Sequence, residues 1–230
     1  MNSFQEWVQQ LNFEGLWELL ITVAASLLCI TVHECSHGLA ALWMGDDTAR
    51  RQGRLSLNPL RHVDLMGLIV MAIARFGWAK AVPVNMRKFR YPKLGMAVTA
   101  LAGPLSNVIL MSMALVLRAV LLALYYLNGV FAYQYLILFF EYTAVLSAGL
   151  AVFNLFPIPP LDGSKILFCI LPDRTYQKLL RYEHFGMILL AALLIIGLLD
   201  VPLQFLRGGL ISVGNQLAAP VFEFTMSFIG

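Results

Sequence analysis

Five stretches of this sequence, residues 16–43, 94–126, 133–156, 185–206 and 210–228, are almost continuously apolar. Each comes to about the 20 residues that a helix needs to cross the hydrocarbon of a bilayer. In lipid every backbone polar group must find its partner inside the protein, which only helices and closed barrels achieve. The pattern therefore predicts an all-α polytopic membrane protein, a bundle of about five to six transmembrane helices. Composition agrees, because 13% of the 230 residues are charged where a soluble domain carries about a quarter. Residues 1–13 lack the basic start and small-residue cleavage site of a secretory signal, so the first run is read as part of the mature chain.

Ten of the sixteen Lys and Arg residues lie between the first two runs, from Arg50 to Lys93. Basic loops stay in the cytoplasm, so this interval is expected there, with the amino terminus outside and, after five crossings, the carboxyl terminus cytoplasmic. Lys165, Arg174, Lys178 and Arg181 form a second basic cluster on the same side, and Arg118 and Arg207 are left for the other. Charges that set topology imply the bilayer as a partner and no nucleic acid. A multi-pass protein of the cell membrane is expected.

Between residues 45 and 93 the pattern changes. The apolar piece 65–76 is too short to span, and residues 78–85 alternate like a strand. A re-entrant or short strand segment is thus expected near the cytoplasmic face, beside a cavity, since irregular backbone at membrane depth must be covered by protein or water. A second break falls at Pro157, Pro159 and Pro160, which cannot continue a helix. Asp162 and Gly163 follow at once, so an acidic side chain is presented where a helix is broken. No repeat or linker divides the chain. It reads as one domain over 1–230, with a catalytic core at about 15–171 and C-terminal helices at about 176–230.

His33-Glu34-Cys35-Ser36-His37 lies inside the first apolar run and has the form H-E-x-x-H. On a helix, residues four apart share a face, so both imidazoles can bind one ion while Glu34, one position round, is placed to take a proton from water. Imidazole favours zinc over magnesium or calcium, which want oxygen. A catalytic zinc has three protein ligands and one open position, so one ligand is missing from the helix. Asp162 is the best candidate; the alternative is a capping aspartate for the helix that resumes at Ser164. Glu141 sits mid-span without a helix break and reads as packing or a polar pair. Cys29, Cys35 and Cys169 have the spacing of neither a disulfide framework nor a zinc knuckle.

Taken together, His33 to His37, Asn58-Pro59-Leu60-Arg61-His62-Val63-Asp64, the stretch from Gly77 to Asn85, Ala102-Gly103-Pro104-Leu105-Ser106-Asn107 and the stretch from Asn154 to Gly163 resemble the site-2 protease family of intramembrane metalloproteases. The resemblance is to the short bacterial or archaeal form without a PDZ domain. It implies a bundle in which the histidine helix lies against the segment bearing the aspartate, one Zn2+ per chain held by His33, His37 and Asp162, and Glu34 as general base. The implied activity is zinc-dependent endopeptidase cleavage of peptide bonds in or near transmembrane segments. The implied partner is a transmembrane protein or peptide substrate. Ala81 stands where the family often has proline, which affects local rigidity alone.

Other residues carry open readings. Asn154, a turn or two before Asp162, is either an oxyanion or substrate-backbone donor or a packing amide between helices. His62 is a partner behind the ligands, a transition-state donor or a surface residue. Asn107 can support the centre or hold the second span. Val82 and Val84 lie on the stretch expected to receive an unwound substrate by strand addition. The competing functions are a metal or solute transporter, since broken helices with polar residues also mark transporters, and an inactive scaffold of the same fold. Glu34 argues against both, because neither needs a base beside the ligands.

Overall fold

The computed structural model describes residues 13–64, 79–172, 175 and 183–229. These form seven helices: α1 (Phe13–Trp43), the single turn α2 (Thr48–Arg51), α3 (Pro92–Asn128), α4 (Ala132–Asn154), α5 (Asp162–Ile170), α6 (Glu183–Ile195) and α7 (Asp200–Ile229). Three of them are long and apolar enough to cross a bilayer, and α6 with α7 pass as a pair bent by 85°. The described residues thus make three spans, or four with the bent pair as one, where the apolar runs suggested five to six. The apolar piece 65–76 and Trp78 lie outside the described residues.

Small side chains let the helices approach closely, as they do in membranes, where lipid removes the hydrophobic drive between helices. Ala25 and Cys29 of α1 and Ala144, Ser147, Ala148 and Ala151 of α4 are fully buried, as are Ala114 and Ala123 of α3. Hydroxyls that face apolar surroundings bond back along their own helix, Ser36 to the Val32 carbonyl and Thr143 to that of Phe139. A polar knot ties three helices: Arg118 of α3 pairs with Glu141 of α4, and its Nη2 donates to Asn215 Oδ1 of α7 at 3.0 Å. This is the polar partner expected of Glu141.

The reading of the last two runs as separate crossings needs correction. The helix breaks at Gly197, not near Gly208 and Gly209. Gly197 takes φ +75°, its amide bonds to the Leu194 carbonyl and that of Leu198 to Leu193, the paired bonds of a glycine-terminated helix. After the break α7 runs beside α3 in the same direction: Gly214 meets Leu115, Asn215 meets Arg118 and Phe222 meets Tyr126. Its Ile229 end therefore lies at the Asn128 end of the bundle, where Trp17 of α1 packs on Tyr135. The two ends of the described chain share a side, against the expectation of opposite sides. Arg207 correspondingly sits by Gly149, near the end of α4 that leads to Asp162. Among the described residues the last two runs supply one bent pair, since a run of apolar residues does not record an 85° turn.

Residues 79–85 belong to no helix or strand, with Asn85 itself extended, and no strand pairs with them among the described residues. Side chains and loops hold them instead: Lys80 N–H donates to the His62 carbonyl, Val82 N–H to Glu34 and Asn85 N–H to Asp46. Arg54 caps the Lys80 and Ala81 carbonyls.

Candidate metal centre

The first apolar run is helical throughout its ordered length, so His33 and His37 stack on one face of α1 as their spacing requires. The helix of α4 stops at Asn154, the prolines turn the chain through residues 155–161, and α5 starts on Asp162 itself. That turn carries the carboxylate to the histidines across more than a hundred residues of sequence. His33 Nε2 and His37 Nε2 lie 3.0 Å apart, and Asp162 Oδ2 lies 3.3 Å and 3.1 Å from them. All three side chains are buried, Asp162 to 7% exposure. Among the described residues they form the one group of His, Cys, Asp and Glu whose ligand atoms converge in this way.

This triangle fits an ion. A tetrahedral centre with bonds of about 2.0–2.1 Å sets its ligand atoms roughly 3.3 Å apart, and the observed edges are within a few tenths of that. The donors also face the right way. His37 Nδ1 lies 2.7 Å from the Thr99 carbonyl, which can only accept, so Nδ1 carries the proton and Nε2 offers its lone pair. His33 Nδ1 lies 3.1 Å from Nδ2 of the Asn107 amide, whose fully buried Oδ1 has no partner among the described residues. With His33 protonated at Nδ1, as ligation through Nε2 requires, a half-turn of the Asn107 amide gives Oδ1 that proton to accept. The two nitrogens and one oxygen suit zinc better than magnesium or calcium.

The backing comes from α3. Pro104 cannot donate to the Ala100 carbonyl, which loosens the turn that presents Thr99. Gly103 lies directly over the imidazoles: a Cβ there would stand 2.5 Å from His37 Cε1 and 2.7 Å from His33 Cε1. Sequence reasoning left Asn107 open between supporting the centre and holding the second span, and missed Thr99. It contributes a backbone carbonyl, which no residue-type pattern reveals.

Glu34 is 9% exposed, and its Oε2 accepts the Val82 amide at 2.8 Å. Asp162 takes no backbone amide among the described residues, so the helix-capping alternative fails. Asn154 donates from Nδ2 to the Leu150 carbonyl of its own helix, one turn back. His62 is not brought to the cluster. It is 1% exposed, so the surface reading fails, and it sits behind α1, with Nε2 2.8 Å from the Ser56 carbonyl and 3.7 Å from Cys35 Sγ. Cys29 faces α4, 3.1 Å from Ser147 Oγ.

Two histidines and an aspartate gathered inside a bundle of bilayer-length helices, with a glutamate one residue along, define a membrane protein of metallopeptidase type. The chain belongs to Peptidase family M50, whose family model matches residues 21–197, and this bears out the resemblance to the site-2 proteases. It is similar to YwhC of Bacillus subtilis, 39% identical over 178 residues that make up 77% of this chain and 80% of YwhC. It is also similar to Rip2 of Mycolicibacterium smegmatis, 28% identical over 192 residues, 82% of this chain and 71% of Rip2. Both carry the name "Putative zinc metalloprotease". No solved structure matches the chain.

Proposed function

We propose that this metalloprotease is a zinc-dependent endopeptidase that cleaves peptide bonds in or near the transmembrane segments of other membrane proteins, with His33, His37 and Asp162 as ligands and Glu34 as general base. The observation that carries the reading is the ligand triangle at the level of the bundle where α1, α3 and the proline turn meet. Zinc, when bound, supplies Lewis acidity, which acidifies water and polarises a carbonyl. Glu34 takes the proton from the attacking water and returns it to the leaving amine. Its Oε2 is held by the Val82 amide, which leaves Oε1 for that exchange. Thr99 and Asn107 keep both imidazoles in the tautomer the reaction needs.

A helical substrate hides its peptide bonds in its own hydrogen-bond ladder, so it must be held unwound. Residues 79–85 suit this. Glu34 takes the Val82 N–H, Asp46 the Asn85 N–H, and Arg54 the Lys80 and Ala81 carbonyls. With the Lys80, Val82 and Asn85 amides taken, those of Ala81 and Val84 are left among the described residues to meet a substrate strand.

The deciding experiment compares purified wild-type protein with Glu34→Gln on a membrane-spanning peptide in detergent, with zinc measured in both. The variant should retain one equivalent of zinc and lose cleavage by three or more orders of magnitude. Cleavage surviving in Glu34→Gln would refute the assignment of the base. A membrane proteome compared between cells carrying the two forms would then name the substrates.

A further inference from the structure

We propose that Lys165 is a positioning residue of the metal centre: its ammonium group holds Oδ1 of Asp162, so that the carboxylate meets the ion through Oδ2 alone and the fourth coordination position stays open. The proposal rests on the reading of His33, His37 and Asp162 as ligands.

Asp162 divides its two oxygens. Oδ2 faces both histidines at 3.1 and 3.3 Å, and Oδ1 faces Lys165 Nζ at 3.5 Å. Lys165 is the only partner Oδ1 has among the described residues. The geometry is built into α5, where residues three apart share a face, and α5 is firmly seated. Leu161 N–H bonds to the Ile158 carbonyl, the Ser164 amide and hydroxyl both bond to the Leu161 carbonyl, and Leu161 is buried with Leu190 and Leu199. With the backbone fixed, the freedom left to Asp162 is rotation of its carboxylate. That rotation decides whether one oxygen or two reach the ion.

The difference matters chemically. Two nitrogens and one oxygen leave a tetrahedral ion one position for water or substrate. Two nitrogens and both carboxylate oxygens supply four donors and crowd that position. A hydrogen bond from an ammonium to Oδ1 disfavours the second arrangement. Affinity for metal is not what Lys165 contributes, because a cation so close to a divalent ion opposes its binding. Nor does a topology-setting charge explain the contact, since any position facing the cytoplasm serves that purpose. The side chain is one-third exposed, so the remaining ammonium protons reach water and the contact to Oδ1 is made without stranding them.

Cobalt(II) in place of zinc reports the coordination number, its visible bands being intense at four-coordinate sites and weak at five. Lys165→Met should still bind one cobalt, but with weakened bands, and the zinc form should lose about tenfold or more in kcat at unchanged KM. Lys165→Arg, which keeps a cation over Oδ1, should restore the wild-type spectrum and most of the rate. Loss of cobalt from Lys165→Met overturns the proposal, since removing a cation beside a divalent ion should not weaken its binding. An unaltered spectrum in Lys165→Met, or the same defect in both variants, overturns it. Asp162→Ala is the control: a wild-type cobalt spectrum there would sink the ligand assignment itself, a failure distinct from that of Lys165.

Discussion

In the Gly103→Ala variant the added methyl group has no space unless an imidazole or a helix moves. The methyl carbon would lie 2.5 Å from His37 Cε1 and 2.7 Å from His33 Cε1, roughly 1 Å inside the ~3.5 Å at which such atoms rest. Neither neighbour yields easily. His37 is tied to Thr99 on the same helix as Gly103, and His33 to Asn107 one turn further on. The shift must therefore be shared between the rings and α3. Metal sites tolerate errors of only about 0.2 Å in ligand distance, so a displacement several times larger removes or distorts a ligand. Zinc should bind about 10–100-fold more weakly, the range seen when the partners behind a ligand are lost. Overpacking should lower stability by about 1–3 kcal/mol. Zinc affinity is read by competition with a chelator, and stability by thermal unfolding with the metal removed. Gly149→Ala is the matched control, since its Cβ would meet Arg207 Cδ at 3.9 Å, an ordinary contact. If Gly103→Ala bound zinc within twofold of wild type and cleaved at the same rate, the close approach of α3 to the ligands would be wrong.

Asn107→Leu removes the acceptor behind His33, so zinc affinity should fall about 10–100-fold, while Asn107→Asp keeps an acceptor and most of the affinity; equal losses in a chelator competition would contradict the tautomer argument. Val84→Pro deletes one of the two amides left for substrate without touching the bond from Val82 to Glu34, so cleavage should drop while zinc content holds, and full activity would remove Val84 from the clamp. Asp46 anchors the same segment. Burial raises its carboxyl, but hydrogen bonds from the Asn85 amide and from Thr48, with Lys88 nearby, more than offset this and hold it below the ordinary carboxylate value. A depressed folded-state value means stability that is present above the unfolded value of about 3.9 and lost as pH falls through the folded one. Amide exchange over Ala79 to Arg90 should therefore rise on acidification below about pH 4, and Asp46→Ala should show the released behaviour already at neutral pH; equal protection in both forms would place the anchor elsewhere.

The chemistry of the centre was legible because it depends on residue type at fixed spacing. A pair of histidines four apart on a helix has one geometric consequence, and an aspartate following three prolines is presented at a helix break whatever the rest of the chain does. The three long spans were legible for the same reason, since length and apolarity suffice to define them. What escaped was information held in relations between segments. The Thr99 carbonyl and the Val82 amide are backbone groups, indistinguishable in sequence from any other. Lys165 looked like one more basic residue on the cytoplasmic side, because charge counts by position and says nothing of the oxygen three residues back. The direction of α7 was misjudged because hydropathy is the same for a straight helix and for one turned at Gly197.

The two halves of the centre are held by different means, and the contrast bears on how a substrate can enter. The histidines are fixed from behind by α3, through Thr99, Gly103 and Asn107, and these contacts run along a single long helix that crosses the whole bundle. The aspartate is fixed from its own side by the proline turn and by the packing of Leu161 against Leu190 and Leu199, which flank the 85° corner between α6 and α7. Gly186 of α6 seats directly on Pro159, where a Cβ would meet the Pro159 carbonyl oxygen at 2.5 Å. A displacement of α6 thus bears on the third ligand through Pro159. α7 is locked to α3 through Gly214 and Arg118, so a shift of α6 would be felt first at the proline turn, and the aspartate is the ligand that would register it.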